Sequence, residues 1–140
     1  MKFKLLASLF LTFGIIYLFS GFKSQEGGQL YFMRSTNNVG SMIAYKVFID
    51  DTVVCHLKNK HYSVHNLSAG EHTVSIQNGG LGGHTKSRPI KINIQQGKAN
   101  YVVAINGPDL YLQEVVETSA KELLKKIVIT NECLPAKEKK

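Results

Sequence analysis

The sequence predicts an all-β protein, an antiparallel β-sandwich of seven or eight strands. Between residues 29 and 117, short segments alternate apolar and polar residues, as strands do when one face is buried. Turn-forming Gly, Asn, Asp and Ser interrupt these segments every few positions. A helical pattern appears only after residue 118. Many short strands separated by tight turns are typical of a sandwich or an open barrel.

Eight strands are predicted in order along the chain. In the sixth, Ile90, Ile92 and Ile94 alternate with polar residues. The seventh, residues 101–105, is apolar throughout, which predicts a strand that is covered on both faces. The predicted strands are residues 29–34, 44–49, 52–57, 62–67, 72–77, 88–94, 101–105 and 110–116.

The turn between the second and third strands consists of Asp50 and Asp51. A type I′ turn requires positive φ at both central residues and therefore favours Asp-Gly. Asp51 stands where Gly is usual, so either its backbone is strained or the turn is of another type. Alternation would point Val53, Cys55 and Leu57 inward in the third strand.

A second turn, at residues 68–71, is expected to fold the fourth and fifth strands into a hairpin. Gly70 is the residue of this turn that can take positive φ. The hairpin would place Leu67, which fills the core, opposite His72. It would leave His65 without another histidine as its cross-strand neighbour.

The C-terminal part begins with Ser-Ala-Lys-Glu at residues 119–122, a capping-box pattern that predicts a short helix ending near residue 126. Residues 127–130 fit neither a strand nor a helix clearly.

These patterns divide the chain into five parts. They are a signal peptide or membrane anchor (1–24), a linker (25–28), the sandwich domain (29–117), a short helix with a C-terminal extension (118–134) and a polar tail (135–140).

The N-terminal segment carries Lys2 and Lys4 before an apolar run from residue 5 to residue 22. A positive flank followed by an apolar run is the layout of a Sec-type signal peptide. The run also reaches the lower length limit of a membrane-spanning helix, and no good small-residue cleavage site follows it. Both alternatives export the domain to the periplasm or cell envelope. Only the uncleaved form would be anchored in the membrane.

The two cysteines lie far apart, Cys55 within the third strand and Cys133 near the C-terminus. In an oxidising compartment two such cysteines can form a disulfide. The alternative is a buried, unpaired Cys55 that packs as a small apolar residue, with an unrelated Cys133.

The net charge of +7 comes mainly from the two ends of the chain. Without those end residues the body has 11 basic and 9 acidic residues. The residues removed in this count are Lys2, Lys4, Lys23, Lys137, Lys139, Lys140 and Glu138. A nucleic-acid site needs lysines and arginines clustered on one face, and the body lacks such a cluster in its sequence. Nucleic-acid binding is therefore not predicted.

Two segments carry a resemblance to a known family. Residues 47–51 read Val-Phe-Ile-Asp-Asp, and residues 66–74 read Asn-Leu-Ser-Ala-Gly-Glu-His-Thr-Val. These segments resemble PEGA-like domains and, more closely, the exported bacterial family catalogued as domain of unknown function 2846. The resemblance covers residues 29–117 and includes a Leu-Tyr-Phe-x-Arg strand at residues 30–34. It implies an envelope-associated β-sandwich whose shared motifs are structural.

No catalytic or cofactor-binding set is recognised in the sequence. Among the five histidines, only His56 and His61 could converge across a turn, and zinc requires three or four ligands. Asp50 and Asp51 are adjacent, so as strand residues they would point to opposite faces and are not a glycosidase pair. We therefore predict no metal, no cofactor and no enzymatic activity.

The resulting functional hypothesis is a non-catalytic, exported envelope module that binds or scaffolds another envelope component, either a protein or a glycan. Sandwiches carry binding residues in their end loops, so two loops are the predicted contact surface. The predicted contact residues are Lys58, Lys60, His61, Tyr62, His84 and Arg88. The alternative is a periplasmic protein that binds a small ligand or a metal through His56 and His61.

Overall fold

A computed structural model of the chain describes residues 26–36, 42–80, 84–130 and 133. Within these residues, nine strands form two sheets and one short helix follows the eighth strand. The strands are β1 (Gly28–Arg34), β2 (Tyr45–Ile49), β3 (Thr52–Leu57), β4 (His61–Leu67), β5 (Gly70–Asn78), β6 (Ile90–Ile94), β7 (Ala99–Asn106), β8 (Leu110–Val115) and β9 (Val128–Ile129), and the helix is α1 (Glu117–Leu124). The predicted all-β, sandwich-like fold is confirmed. The predicted N-terminal segment and polar tail lie outside the described residues.

The two sheets are assembled by hairpins and by crossings. The five-stranded sheet has the order β8-β7-β1-β4-β9, and the four-stranded sheet has the order β3-β2-β5-β6. Three hairpins, β2–β3, β5–β6 and β7–β8, keep consecutive strands in one sheet. However, β1 pairs with β7 in parallel, and so does β4 with β9. The sheet is therefore mixed and not purely antiparallel, because parallel neighbours lie far apart in sequence and leave no local turn signal.

The strand bounds follow the sequence pattern closely, and the start of the sixth strand shows how a proline sets such a bound. All eight predicted strands agree with the observed bounds to within two residues. The sixth strand begins at Ile90 and not at residue 88. Ser87 still pairs with the neighbouring strand, its N–H donating to the Ile76 carbonyl at 2.8 Å. Pro89 then interrupts the ladder because it has no N–H to donate.

The main core lies between the two sheets. In β2, Tyr45, Val47 and Ile49 are buried and the intervening Phe48 is half-buried, as the predicted alternation requires. The buried members of this core are Leu30, Phe32, Tyr45, Val47, Ile49, Val54, Cys55, Leu57, Leu67, Val74, Ile76, Ile92, Ile94, Val102, Ala104 and Leu112. Each fully buried side chain of this kind contributes about 1.5–3 kcal/mol of transfer free energy.

The β2–β3 hairpin closes through two aspartates with positive φ, 47° at Asp50 and 60° at Asp51. Positive φ at both positions is the signature of a type I′ turn, so Asp51 occupies the left-handed region that favours glycine. The pairing of β2 with β3 contains a bulge. Because a bulge adds a residue to one strand, Val54 is buried where the sequence predicted Val53.

The link between β4 and β5 is a crossing and not a hairpin. β4 belongs to the five-stranded sheet and β5 to the four-stranded sheet, so the predicted cross-strand pairing of Leu67 with His72 is wrong. Leu67 instead pairs in register with Gly28 of β1, while its buried side chain joins the core as predicted. Gly70 has a φ of 130°, which confirms the predicted position that needs glycine. The sequence of a turn indicates that the chain reverses direction, but it does not indicate which of the two sheets the next strand joins.

The helix α1 begins at Glu117, directly after β8, with Val116 as its N-cap residue and no side-chain cap. The predicted capping box at residues 119–122 is therefore wrong. Its second residue, Ala120, is fully buried in the small core between α1 and the five-stranded sheet. This helix covers the outer face of β7, as the apolar run at residues 101–105 predicted. No helix among the described residues is long and apolar enough to span a membrane.

The C-terminal segment closes one side of the sandwich. β9 pairs with the β4 edge of the five-stranded sheet. Cys133 then forms a disulfide with Cys55 of β3, the edge strand of the other sheet, with a Cα–Cα distance of 4.1 Å. Of the alternatives that the sequence left open, the structure contains the disulfide. The bridge links one edge of each sheet through a single chain segment.

Candidate functional site

Three tyrosines form a row across neighbouring strands of the five-stranded sheet. Tyr62 of β4, Tyr31 of β1 and Tyr101 of β7 have their rings close together. The Tyr62 and Tyr31 ring centroids are 6.3 Å apart with an interplanar angle of 20°. Those of Tyr31 and Tyr101 are 5.1 Å apart at 34°. We call these three residues the tyrosine row.

Strand register explains why the rings meet. Tyr31 and Tyr101 are directly paired between the parallel strands β1 and β7. Tyr62 is paired with Met33, two positions further along β1, so it lies diagonally from Tyr31. Long aromatic side chains reach such diagonal neighbours on one face of a sheet. The row therefore lies on the outer face of the sheet, opposite the main core.

The helix α1 limits how much of each ring is exposed. Ala120 of α1 and Met33 of β1 are buried with Tyr101 in the small core, while Tyr31 and Tyr62 stay half-buried at its margin. Burial raises the pKa of the Tyr101 phenol above its ordinary value, and the nearby Glu117 carboxylate raises it further. The Tyr101 hydroxyl is thus a neutral donor at physiological pH.

An open cleft of about 480 Å³ adjoins the Tyr101 end of the row. It is lined by Ala99, Asn100, Tyr101, Glu114, Val115, Val116 and Glu117. Asn100 Nδ2 donates to Glu114 Oε1 at 3.1 Å, and Lys121 Nζ lies 2.7 Å from Glu117 Oε1. The cleft therefore offers carboxylate and amide groups beside an aromatic ring.

A second polar pair lies beside the middle ring of the row. Gln29 Nε2 donates to Asn66 Oδ1 at 3.4 Å, and the Tyr31 hydroxyl donates to Gln29 Oε1 at 3.4 Å. Both amides are exposed. Amide groups with spare hydrogen-bonding capacity thus lie beside Tyr31 on the outer face, whereas strand alternation places Asn100 and Glu114 on the opposite face of the sheet, with Val102 and Leu112.

Of the predicted contact residues, Tyr62 belongs to the tyrosine row. Lys58 and Lys60 are exposed in the link between β3 and β4, and His61 begins β4. His84 and Arg88 are exposed between β5 and β6, on the side of the four-stranded sheet. The first loop therefore reaches the row through Tyr62, whereas the second lies on the other sheet, and the role of both loops as contact surfaces stays a prediction.

The sequence interpretation did not identify Tyr31 and Tyr101 as site residues. The sequence does place both tyrosines at outward positions of predicted strands. It does not indicate that β7 pairs with β1. Their juxtaposition depends on that long-range parallel pairing.

The histidines proposed for a metal site show no ligand cluster. His61 Nδ1 lies 2.7 Å from the Asn59 carbonyl oxygen, and His56 is exposed on β3. In the part of the chain that the structure describes, no three His, Cys, Asp or Glu side chains converge on a common point. The metal-binding alternative therefore gains no ligand set from these residues.

One further arrangement has the residue types of a serine-hydrolase triad. His72 Nδ1 lies 2.7 Å from Asp50 Oδ2, and His72 Nε2 lies 3.4 Å from Ser68 Oγ. However, Nε2 lies closer, at 2.9 Å, to the carbonyl oxygen of Ser68. A nitrogen that donates to a carbonyl cannot accept the serine proton. The arrangement instead ties the β4–β5 crossing to the β2–β3 turn, with Asp50 Oδ1 also accepting the Thr73 N–H at 3.0 Å.

Comparison with known proteins gives no relative from which a function could be transferred. No protein-family model, curated protein or solved structure matches this chain. The resemblance of residues 29–117 to an exported bacterial family stays a prediction. The chemistry of the tyrosine row and its cleft is therefore the basis for assigning a function.

Proposed function

We propose that this protein is a non-catalytic, exported module of the cell envelope that binds another envelope component through the tyrosine row. The observation that carries the proposal is the row itself, in which Tyr31 and Tyr62 are half-buried and an open cleft adjoins the Tyr101 end. Half-buried aromatic rings with polar neighbours are typical of binding surfaces, because they supply apolar contact area together with hydrogen bonds.

Export is proposed from the N-terminal apolar segment and from the resemblance to an exported family. The Cys55–Cys133 disulfide is in keeping with an oxidising compartment. Edman sequencing of the protein recovered from cells distinguishes a cleaved signal peptide from a retained anchor. Recovery of the full-length protein in the cytoplasm with both cysteines reduced would contradict export.

Binding is tested by sedimentation of the purified protein with washed envelope fractions from its own cells. Wild-type protein is expected to bind saturably and to be displaced by an excess of unlabelled protein. The Tyr31→Leu/Tyr62→Leu double variant, which keeps apolar bulk at both positions, is expected to lose most of this binding. Tyr111→Leu is the matched control, because Tyr111 is an exposed tyrosine of β8 outside the row.

Circular dichroism and thermal unfolding of each variant establish that the comparison is made between folded proteins. Equal binding by the wild type and a folded double variant would overturn the assignment of the row. The absence of saturable binding by the wild type would overturn the proposed binding function as a whole.

A further inference from the structure

We propose that Asn106 is a modification site, at which the folded protein loses ammonia spontaneously and the asparagine becomes aspartate or isoaspartate. Two asparagines of the sequence precede a glycine, Asn78 and Asn106. Each is the last residue of a strand, Asn78 of β5 and Asn106 of β7. The surroundings of the two residues differ, and they permit the reaction at Asn106 while restraining it at Asn78.

Deamidation of this kind proceeds through a cyclic imide. Base removes the proton of the main-chain N–H that follows the asparagine, and this nitrogen attacks the side-chain Cγ. The new C–N bond replaces the Cγ–Nδ2 bond, and Nδ2 leaves as ammonia with a proton taken from solvent. Water then opens the ring at one of its two carbonyl groups, which gives aspartate at one and isoaspartate at the other. A following glycine favours ring closure because it has no Cβ.

An asparagine in a strand closes this ring only after a change of conformation. Its ψ of about +135° directs the next nitrogen away from Cγ, so the peptide that follows must rotate. That rotation breaks the ladder hydrogen bonds at the end of the strand. The rate at each asparagine therefore depends on how easily its strand end opens.

The end of β7 opens easily because Asn106 extends past the middle of its sheet. β1 pairs with β7 only as far as Ala104. Asn106 is exposed, and its ladder partner among the described strands is Leu110 of β8. This is the last pair of the β7–β8 hairpin before the turn. Opening one end pair of a hairpin costs less free energy than opening a strand that is paired on both sides.

The peptide that must rotate also has room. A Cβ placed on Gly107 would lie 3.9 Å from the Asp109 carbonyl oxygen, which is an ordinary van der Waals distance. The Gly107 N–H donates to the same oxygen at 3.2 Å, so this hydrogen bond lies within the turn and breaks when the turn opens. Rotation of the Asn106–Gly107 peptide therefore meets no close packing among the described residues.

Asn78, in contrast, is held between two chain segments. It pairs with Tyr45 of β2 on one side, and on the other its N–H donates to the Thr85 carbonyl oxygen at 3.2 Å. A Cβ placed on Gly79 would lie only 2.7 Å from the Ala44 carbonyl oxygen. The Asn78–Gly79 peptide is thus packed against the chain that leads into β2, and its rotation requires both flanking segments to separate.

The experiment incubates the folded wild type at mildly alkaline pH and physiological temperature and, in parallel, the same protein unfolded in guanidinium chloride. Trypsin places Asn78 and Asn106 on separate peptides, residues 61–86 and 99–121, in which tandem mass spectrometry follows each reaction. In the folded protein Asn106 is expected to react at least about tenfold faster than Asn78. In the unfolded chain the two rates should agree within about threefold, because both asparagines precede glycine.

Gly107→Ala is the matched variant, because a methyl group fits at this position. It is expected to slow the reaction of Asn106 by about tenfold or more, since the added Cβ hinders ring closure, and to leave the rate at Asn78 unchanged. Equal rates at the two asparagines of the folded wild type would overturn the inference. A preference for Asn106 that persists undiminished in the unfolded chain would also overturn it, because the selectivity would then come from the local sequence and not from the fold.

Discussion

The guanidinium carbon of Arg34 lies 3.5 Å from the centroid of the Tyr45 ring, and both side chains are buried between the sheets. Arg34 Nη1 donates to the carbonyl oxygens of Ile43 at 2.5 Å and of Leu57 at 3.0 Å. Burial lowers the pKa of Arg34 below its ordinary value, and the contact with Tyr45 opposes that effect. A single buried cation from β1 thus binds groups at the start of β2 and the end of β3.

Replacing Tyr45 tests the energetic value of that contact. Tyr45→Leu is expected to lower the free energy of unfolding by about 2 kcal/mol, because the core loses a ring and the buried guanidinium loses its aromatic neighbour. Tyr45→Phe retains the ring and should lose about 1 kcal/mol. Urea unfolding at neutral pH measures both values. Equal losses in the two variants would show that the ring itself contributes nothing to holding Arg34.

Removing the disulfide is expected to destabilise the domain substantially. The bridge spans 78 residues of sequence, and the chain-entropy treatment of such a loop gives about 4 kcal/mol. The Cys55→Ala/Cys133→Ala variant and the reduced wild type should both show this loss in urea unfolding. Adding a reductant to the double variant is the control and should change nothing. A stability loss below about 1 kcal/mol in both forms would mean that the closed sandwich edge does not depend on the bridge.

The two aspartates of the β2–β3 turn should respond oppositely to the same substitution. Asp51→Gly is expected to raise the free energy of unfolding by about 0.5–1 kcal/mol, because φ at this position is 60° and glycine adopts it without strain. The ion pair lost, Lys86 with Asp51 at 3.5 Å, is largely exposed and contributes little.

Asp50→Gly relieves a similar backbone angle but removes the acceptor of both His72 Nδ1 and the Thr73 N–H. We therefore expect a net loss of about 1–2 kcal/mol. Differential scanning calorimetry of the two single variants gives the sign of each change. Stabilisation by both substitutions would show that the His72 contacts contribute little to stability.

Acid should destabilise the fold through His65. This side chain is 4% exposed, and burial lowers its pKa from 6.5 to about 4. Between these values the unfolded chain binds a proton that the folded protein does not. The contribution of the neutral His65 side chain to the free energy of unfolding should therefore be fully present above pH 6.5. It should be lost as the pH falls towards 4, which lowers the free energy of unfolding by up to about 3 kcal/mol.

His65→Gln should flatten that part of the stability profile, because glutamine does not titrate and can still bind the Ser63 hydroxyl, which lies 2.9 Å from His65 Nε2. His56→Gln, at an exposed position of β3, is the control. Urea unfolding measured at several pH values compares the three proteins. A profile of His65→Gln that runs parallel to that of the wild type would assign the acid sensitivity to other groups.

The comparison of sequence and structure separates local from long-range information. Alternation of apolar residues was enough to locate eight strands, because period-two burial is a property of each strand alone. It did not show that the β4–β5 link crosses between sheets, since Gly70 permits a reversal in either case. Nor did it show the bulge that buries Val54, because Val53 and Val54 are identical side chains and alternation alone does not reveal an extra residue in the strand.

The candidate site was the least predictable part for the same reason. Tyr62 was recognised as a contact residue from its loop, but Tyr31 and Tyr101 acquire a role only when β1 and β7 are side by side. The helix that borders the site starts at Glu117 and so two residues before the predicted cap. Packing of Ala120 against the sheet overrode the local capping signal.

The parallel pairing of β1 with β7 sets the order in which the protein can mature. Gln29 pairs with Ala99, about 70 residues later in the chain, so β1 emerges from the ribosome long before β7, the second of its two partner strands, exists. Such non-local pairing makes folding slow. A chain that passes through a secretion channel must remain unfolded until it has crossed. β1 is a central strand, and its pairing is complete only after β7 has been made. In an exported protein this late pairing would slow folding and keep the nascent chain unfolded for translocation.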